Sequence, residues 1–192
     1  MSTSARPGRP RRYDIRPQEG FAHEGTAYVV AMLDELSERL FDLIADLPQE
    51  ALDFVPQGAG NSIAMLVVHM AWAEALWITR ITEASIPAEL ESALLPGKQD
   101  SSGDLLPFST DGDALRAYCR TVRQEITKPA LADLEDVDTE IDGGSRPLTA
   151  RGVLMHLVWH WTYHSGQVGL LRRQWGELRY QWTFAQNVGA PR

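Results

Sequence analysis

Four of the five histidines in this 192-residue chain fall on two stretches of helical pattern. His69 lies on one; His156, His160 and His164 lie on the other at intervals of four. Side chains four apart on a helix sit one turn from each other with about forty degrees of drift, so two of the three can point at a common atom. Neutral imidazole is a preferred ligand of Zn, Ni, Cu and Fe(II), and His69, from a separate apolar helix, can supply a third ligand across the core. Three protein ligands leave an ion open to water or substrate, which is the arrangement of a catalytic site. Spacing alone leaves two pairs open, His156 with His160 or His160 with His164. It also leaves open that no metal binds, although several imidazoles beside Trp159, Trp161 and Tyr163 are costly to bury without a partner. Cys119 is the single cysteine, so neither an internal disulfide nor a Cys-rich zinc site is available, and a metal must be held by His and carboxylates.

The elements that position these residues follow from apolar periodicity. From Thr26 to about Leu47, apolar residues recur at Val29, Met32, Leu33, Leu36, Leu40, Leu43, Ile44 and Leu47 with charges between them, the pattern of an amphipathic helix stopped near Pro48. Asn61 or Ser62 caps a second helix running to about Thr82, apolar around most of its circumference and so expected to be buried on several sides. A third begins at Thr110 or Asp111 and carries Leu115, Tyr118, Cys119, Val122 and Ile126 inward before Pro129. The fourth has Thr149 as its cap, Leu148 placed to pack on the first turn, and Gly176 as its stop. The expected class is all-α. Ser85 to Ser109 is a long Pro/Gly/Ser-containing connection, which in a four-helix bundle acts as a crossover between helices two and three. Val137 to Arg146 is expected to form a small turn or hairpin, and Leu178 to Val188 alternates like a strand. The acidic residues Asp34, Glu35, Glu38 and Glu74 are assigned to solvated faces, Cys119 to an inert core position, and no general base is nominated among the carboxylates.

Charge is distributed unevenly. The net charge is -8, yet residues 1–20 carry five Arg against Asp14 and Glu19, leaving the remainder near -11. An acidic body repels phosphate backbones, so no folded nucleic-acid-binding face is expected, and residues 1–20 read as a basic arm ahead of a domain over 21–192. No apolar run follows the arm as a signal-peptide core would require, so the expected location is cytoplasmic. The most apolar stretch, Ile63 to Ile81, contains His69, Glu74 and Arg80 and reads as a buried helix and not a membrane span.

The run from Met155 through His156, His160, His164, Gly166 and Gln167 to Leu171, Arg172, Arg173 and Gly176 resembles the last-helix signature of the DinB-like superfamily. Ser62 to Trp77 is similar to the helix of that family that carries one His followed by a Trp-containing segment. The resemblance covers about Gly25 to Gly176. It implies a four-helix bundle in up-down-down-up order, a homodimer, and a divalent metal held by His69, His160 and His164. An all-imidazole donor set suits Zn or Ni, with Fe(II) or Mn as alternatives, and the resemblance further implies a thiol cosubstrate such as bacillithiol or mycothiol in a low-molecular-weight-thiol-dependent S-transferase acting on a small-molecule substrate. A metal-dependent hydrolase and a non-enzymatic, metal-stabilised dimeric interaction protein are the alternatives. Within this reading His156 and Gln167 stand beside the ligands, and Ser165 occupies the position where the family usually has Arg.

Overall fold

The computed structural model describes residues 6–7, 14–57, 60–142, 147–176 and 180–181. Of the basic arm, residues 6–7 and 14–20 are described, and of the alternating tail, residues 180–181. A two-residue parallel pairing joins β1 (Arg6–Pro7) to β4 (Tyr180–Gln181).

The protein is predominantly α-helical. Four long helical segments dominate: α1 (Glu24–Ile44), α3 (Ile63–Thr82), a third built from α5 (Gly112–Thr121) and its continuation, and α7 (Ala150–Trp175). Short helices α2 (Gln49–Leu52) and α4 (Ala88–Leu94) lie in the connections. In α3, Ile63 to Met70 are buried without interruption, as the absence of a polar face in its sequence requires. This helix packs against α7, α5 and the segment between α3 and α5, while α1 packs against α7 and α5. It is long and apolar enough to cross a membrane, but 78% of its apolar window is buried inside the fold, so it is a core helix here.

Caps fall where the side-chain chemistry places them. Ser62 accepts a hydrogen bond from the Met65 amide, Asp111 from Ala114 and Thr149 from Gly152, each satisfying one of the free N–H groups of a first turn. His23, the histidine outside the two clusters, also has a role in the fold. Its Nδ1 accepts from the Gly25 amide and starts α1 two residues ahead of Thr26.

Three expectations change. The stretch from Ser85 to Ser109 is not structureless: it holds α4 and a 3₁₀ turn, Leu95–Gly97, that lies on α3. Helix three does not end before Pro129. A π-helical turn, Val122–Thr127, widens it and hands over to α6 (Lys128–Ala132): the Lys128 amide bonds to the Arg123 carbonyl five residues back, so the ordinary i→i−4 ladder is already broken where Pro129, which has no N–H, enters. Glu74 is not on a solvated face, being 0% exposed, and Glu35 is buried as well. Within the expected hairpin, β2 (Glu140–Ile141) pairs antiparallel with β3 (Leu148–Thr149) ahead of α7, and residues 143–146 lie outside the described residues.

Candidate metal centre

The centre is built by α3 and α7, which bury apolar side chains against each other and so fix the facing histidines. His69 projects from α3; His160 and His164 project from α7 on successive turns. Their ring centroids are 5.0 Å (His69 to His160), 5.2 Å (His69 to His164) and 4.5 Å (His160 to His164) apart. One ligand nitrogen from each can be chosen so that all three lie within 4.8 Å of one another. Nε2 of His69 faces Nε2 of His160 at 3.2 Å. Two imidazoles sharing one tetrahedral zinc at 2.0–2.1 Å stand about 3.3 Å apart, so this separation already suits a common cation.

The outer nitrogens set the tautomers. His69 Nδ1 lies 3.2 Å from the Gly97 carbonyl, which can only accept, so Nδ1 carries the proton and Nε2 keeps its lone pair. His164 Nδ1 lies 2.6 Å from Oε1 of Gln167 and is held in the same way. Partners of this kind orient ligating histidines and raise their basicity. His160 Nδ1 is buried without a hydrogen-bond partner among the described residues.

All three imidazoles are held neutral, the state a metal requires. Burial lowers the pKa of His69, with His164 adding to the effect and the Gly97 hydrogen bond opposing it. His160 is pushed down to about 3 by burial, then by the neighbouring charges of His164, His69 and His156. Burial also lowers His164, against the Gln167 hydrogen bond. A cluster of mutually repelling, desolvated bases is the condition that a divalent cation relieves.

His156 is not part of this cluster. It is exposed, and its ring lies between that of His160, 5.6 Å away, and that of Trp77, 5.7 Å away. Gln167 does reach the centre, as its i+3 position relative to His164 allows. Tyr163 stands edge-on to His164 at 5.1 Å and is 64% exposed, which places an aromatic ring beside the centre at the surface. Ser165 has its hydroxyl buried and without a partner among the described residues.

Behind the histidines is a charged network that periodicity did not disclose. Arg123, on the π-helical turn, donates to Glu74 through Nε at 2.7 Å and Nη2 at 2.8 Å, to Asp34 at 2.6 Å and to Ser37 at 3.2 Å. Thr127 donates to Glu74 at 2.6 Å. Burial works against the Arg123 charge, but Glu74 and then Asp34 outweigh it and raise its pKa. The guanidinium also lies 5.6 Å over the ring of Trp161, the residue after His160, so the network and the centre share α7.

The sequence profile of the DinB family matches residues 26–188, which span both helices that carry the three histidines. The chain belongs to the DinB family. This DinB protein is also similar to a crystal structure of a conserved protein from Enterococcus faecalis, with a TM-score of 0.62 and 21% identity over 77% of this chain and 95% of that one. At that identity the likeness speaks for the fold alone. The comparison with curated proteins gave no match. Family, helical fold and a three-His cluster that can hold a metal ion are therefore in place for this DinB protein.

Proposed function

We propose that this DinB protein is a divalent-metal-dependent enzyme in which His69, His160 and His164 are the ligands, and that it transfers a small electrophilic group to a low-molecular-weight thiol. The observation that carries the reading is the convergence of three neutral imidazoles, two of them with Nδ1 fixed by an acceptor, at the boundary between a dry helix interface and a surface lined by His156, Trp77 and Tyr163. A divalent ion held there supplies Lewis-acid activation of a thiol or of water. In the transfer the thiol gives up its proton, its sulfur bonds to an electrophilic carbon, and the leaving group departs with the electron pair. The thiol must come from outside the chain, because Cys119 is buried and burial pushes its pKa up. Contacts between α3 and the third segment advance in the same direction along both, Val67 with Cys119 and then Glu74 with Arg123 and Thr127, which supports a four-helix bundle in up-down-down-up order with the α4 segment as its crossover. Zn or Ni suits the all-imidazole donor set, with Fe(II) or Mn as alternatives.

Elemental analysis of protein purified without a His tag tests the metal, with about one ion per chain expected. Turnover with a thiol plus an epoxide or haloalkane, measured beside ester and amide hydrolysis, tests the reaction. Metal-dependent ester or amide cleavage without thiol consumption turns the reading to a hydrolase; no stoichiometric metal and no turnover removes the enzyme altogether.

A second reading has its own observation. Met155, Trp159, Tyr163 and Leu170 form an exposed apolar stripe along α7, with Trp159 64% exposed. It favours a metal-stabilised homodimer acting through association. In that case Trp159→Ser changes the oligomeric state measured by sedimentation, and His69→Ala lowers thermal stability with no reaction to abolish.

A further inference from the structure

The 3₁₀ turn between α4 and α5 brings Gly97 onto α3. Gly97 is buried, and its φ is not positive, so conformational freedom does not explain glycine at this position. Space does. A Cβ at Gly97 would overlap the Val68 carbonyl oxygen and Trp72 Cβ, and would stand 2.9 Å from the Val68 carbonyl carbon, inside the 3.0 Å that real Cβ atoms keep. Two of these three atoms belong to helix backbone and cannot swing aside. The turn can lie this close to α3 only without a side chain, and at this depth the Gly97 carbonyl meets His69 Nδ1 at 3.2 Å.

A second contact ties down the chain just ahead of the turn. The Tyr118 hydroxyl, on α5, donates to the Leu94 carbonyl at 2.7 Å, three residues before Gly97, and Leu94 itself is buried. Tyr118 is partly buried, and burial raises its pKa, so the hydroxyl remains a donor at neutral pH.

We propose that Gly97 is the positioning residue of the three-His centre and that Tyr118 is the strap that holds it there. The missing side chain lets the carbonyl fix His69 as the Nδ1–H tautomer and present the Nε2 lone pair to the ion. This deepens the metal-binding reading and rests on it. The slack is small: a contact of 3.2 Å has only about 0.3 Å to lose before it ceases to be a hydrogen bond. Any retreat that accommodates a methyl group at Gly97 exceeds it. His69 is then free to take the Nε2–H tautomer, which offers the ion a proton in place of a lone pair.

The test uses the full-length, metal-free protein with ¹⁵N-labelled histidine, followed by titration with Zn(II). Long-range ¹H–¹⁵N correlation is expected to show His69 protonated on Nδ1 in the wild type and shifted toward Nε2–H in Gly97→Ala. Zn(II) affinity is expected to fall roughly 10- to 100-fold in Gly97→Ala, the usual effect of losing an outer partner of a ligating histidine. Tyr118→Phe adds no volume and is expected to move both readouts in the same direction by a smaller factor. If Gly97→Ala does not fold, Tyr118→Phe decides. A lower unfolding temperature with unchanged tautomer and unchanged Zn(II) affinity overturns the proposal, as does a wild type in which His69 carries its proton on Nε2. Failure of the metal reading looks different: the wild type then takes up no Zn(II), while the tautomer result on metal-free protein still stands.

Discussion

Replacing Glu74 by Ala isolates the buried charge network and gives it a magnitude. Glu74 is 0% exposed and accepts three hydrogen bonds, two from Arg123 and one from Thr127. The substitution leaves Arg123 with Asp34 and Ser37 only, while its Nε–H and the Thr127 hydroxyl lose their acceptor in a dry interior. Breaking a buried ion pair from one side costs about 3–5 kcal/mol, whereas an exposed pair is worth about 0–1 kcal/mol. For a chain of this length each kcal/mol moves Tm by roughly 2–4 °C, so the expected drop is roughly 6–20 °C. Urea and thermal unfolding followed by circular dichroism read this directly, with helicity at low temperature as the check that the fold persists. Glu74→Leu combined with Arg123→Met should recover most of the loss, because the apolar pair removes the unpaired charge along with its partner. A loss below about 1 kcal/mol for Glu74→Ala would refute the reasoning, since the pair would then be behaving as though solvated.

Three further outcomes follow from the site and the caps. His160→Ala removes a ligand: at metal 100-fold above its dissociation constant the wild type gains about 2.7 kcal/mol by mass action, and the variant should show no metal-dependent rise in Tm. The metal-free protein should lose stability as pH falls. His69, His160 and His164 all have folded pKa values below the unfolded 6.5, so the unfolded chain binds more protons, and stability falls from about pH 6.5 downward as far as the His160 value of about 3; urea midpoints that rise on acidification over this window would contradict it. Ser62→Ala removes the acceptor for the Met65 amide at the buried start of α3 and should cost about 1 kcal/mol, or roughly 2–4 °C in Tm, with Zn(II) affinity unchanged.

The parts of the fold legible in the sequence are those governed by one helix at a time. Ser62, Asp111 and Thr149 cap their helices because a side-chain oxygen satisfies an amide three residues on, a relation contained within four residues. His160 and His164 meet because they are four apart on one helix. Pro129 was misleading because a proline normally ends a helix, and the π-helical turn that accommodates it has no strong local signature. The interval of four left His156 equal to His164 as a partner for His160; the packing of α3 against α7 separates them by facing His164 toward His69 and leaving His156 outside beside Trp77.

Glu74 shows why the remainder was not legible. On α3 it sits between Ala73 and Ala75, and a lone carboxylate on an apolar helix is assigned to whatever side faces water. That assignment presumes α3 has such a side at Glu74. It does not, because the π-helical turn of a segment 49 residues away brings Arg123 against it, and the two charges desolvate together. The same logic governs Gly97. In the sequence it follows Pro96 inside a long connection with nothing to single it out, whereas the structure gives it a φ that is not positive and a backbone neighbour where a side chain would be. In both cases the residue type is dictated by an element remote in sequence, so no window along one helix contains the cause. The histidines were found because a metal site needs several ligands of one chemical type; the single residues that position them carry no such redundancy.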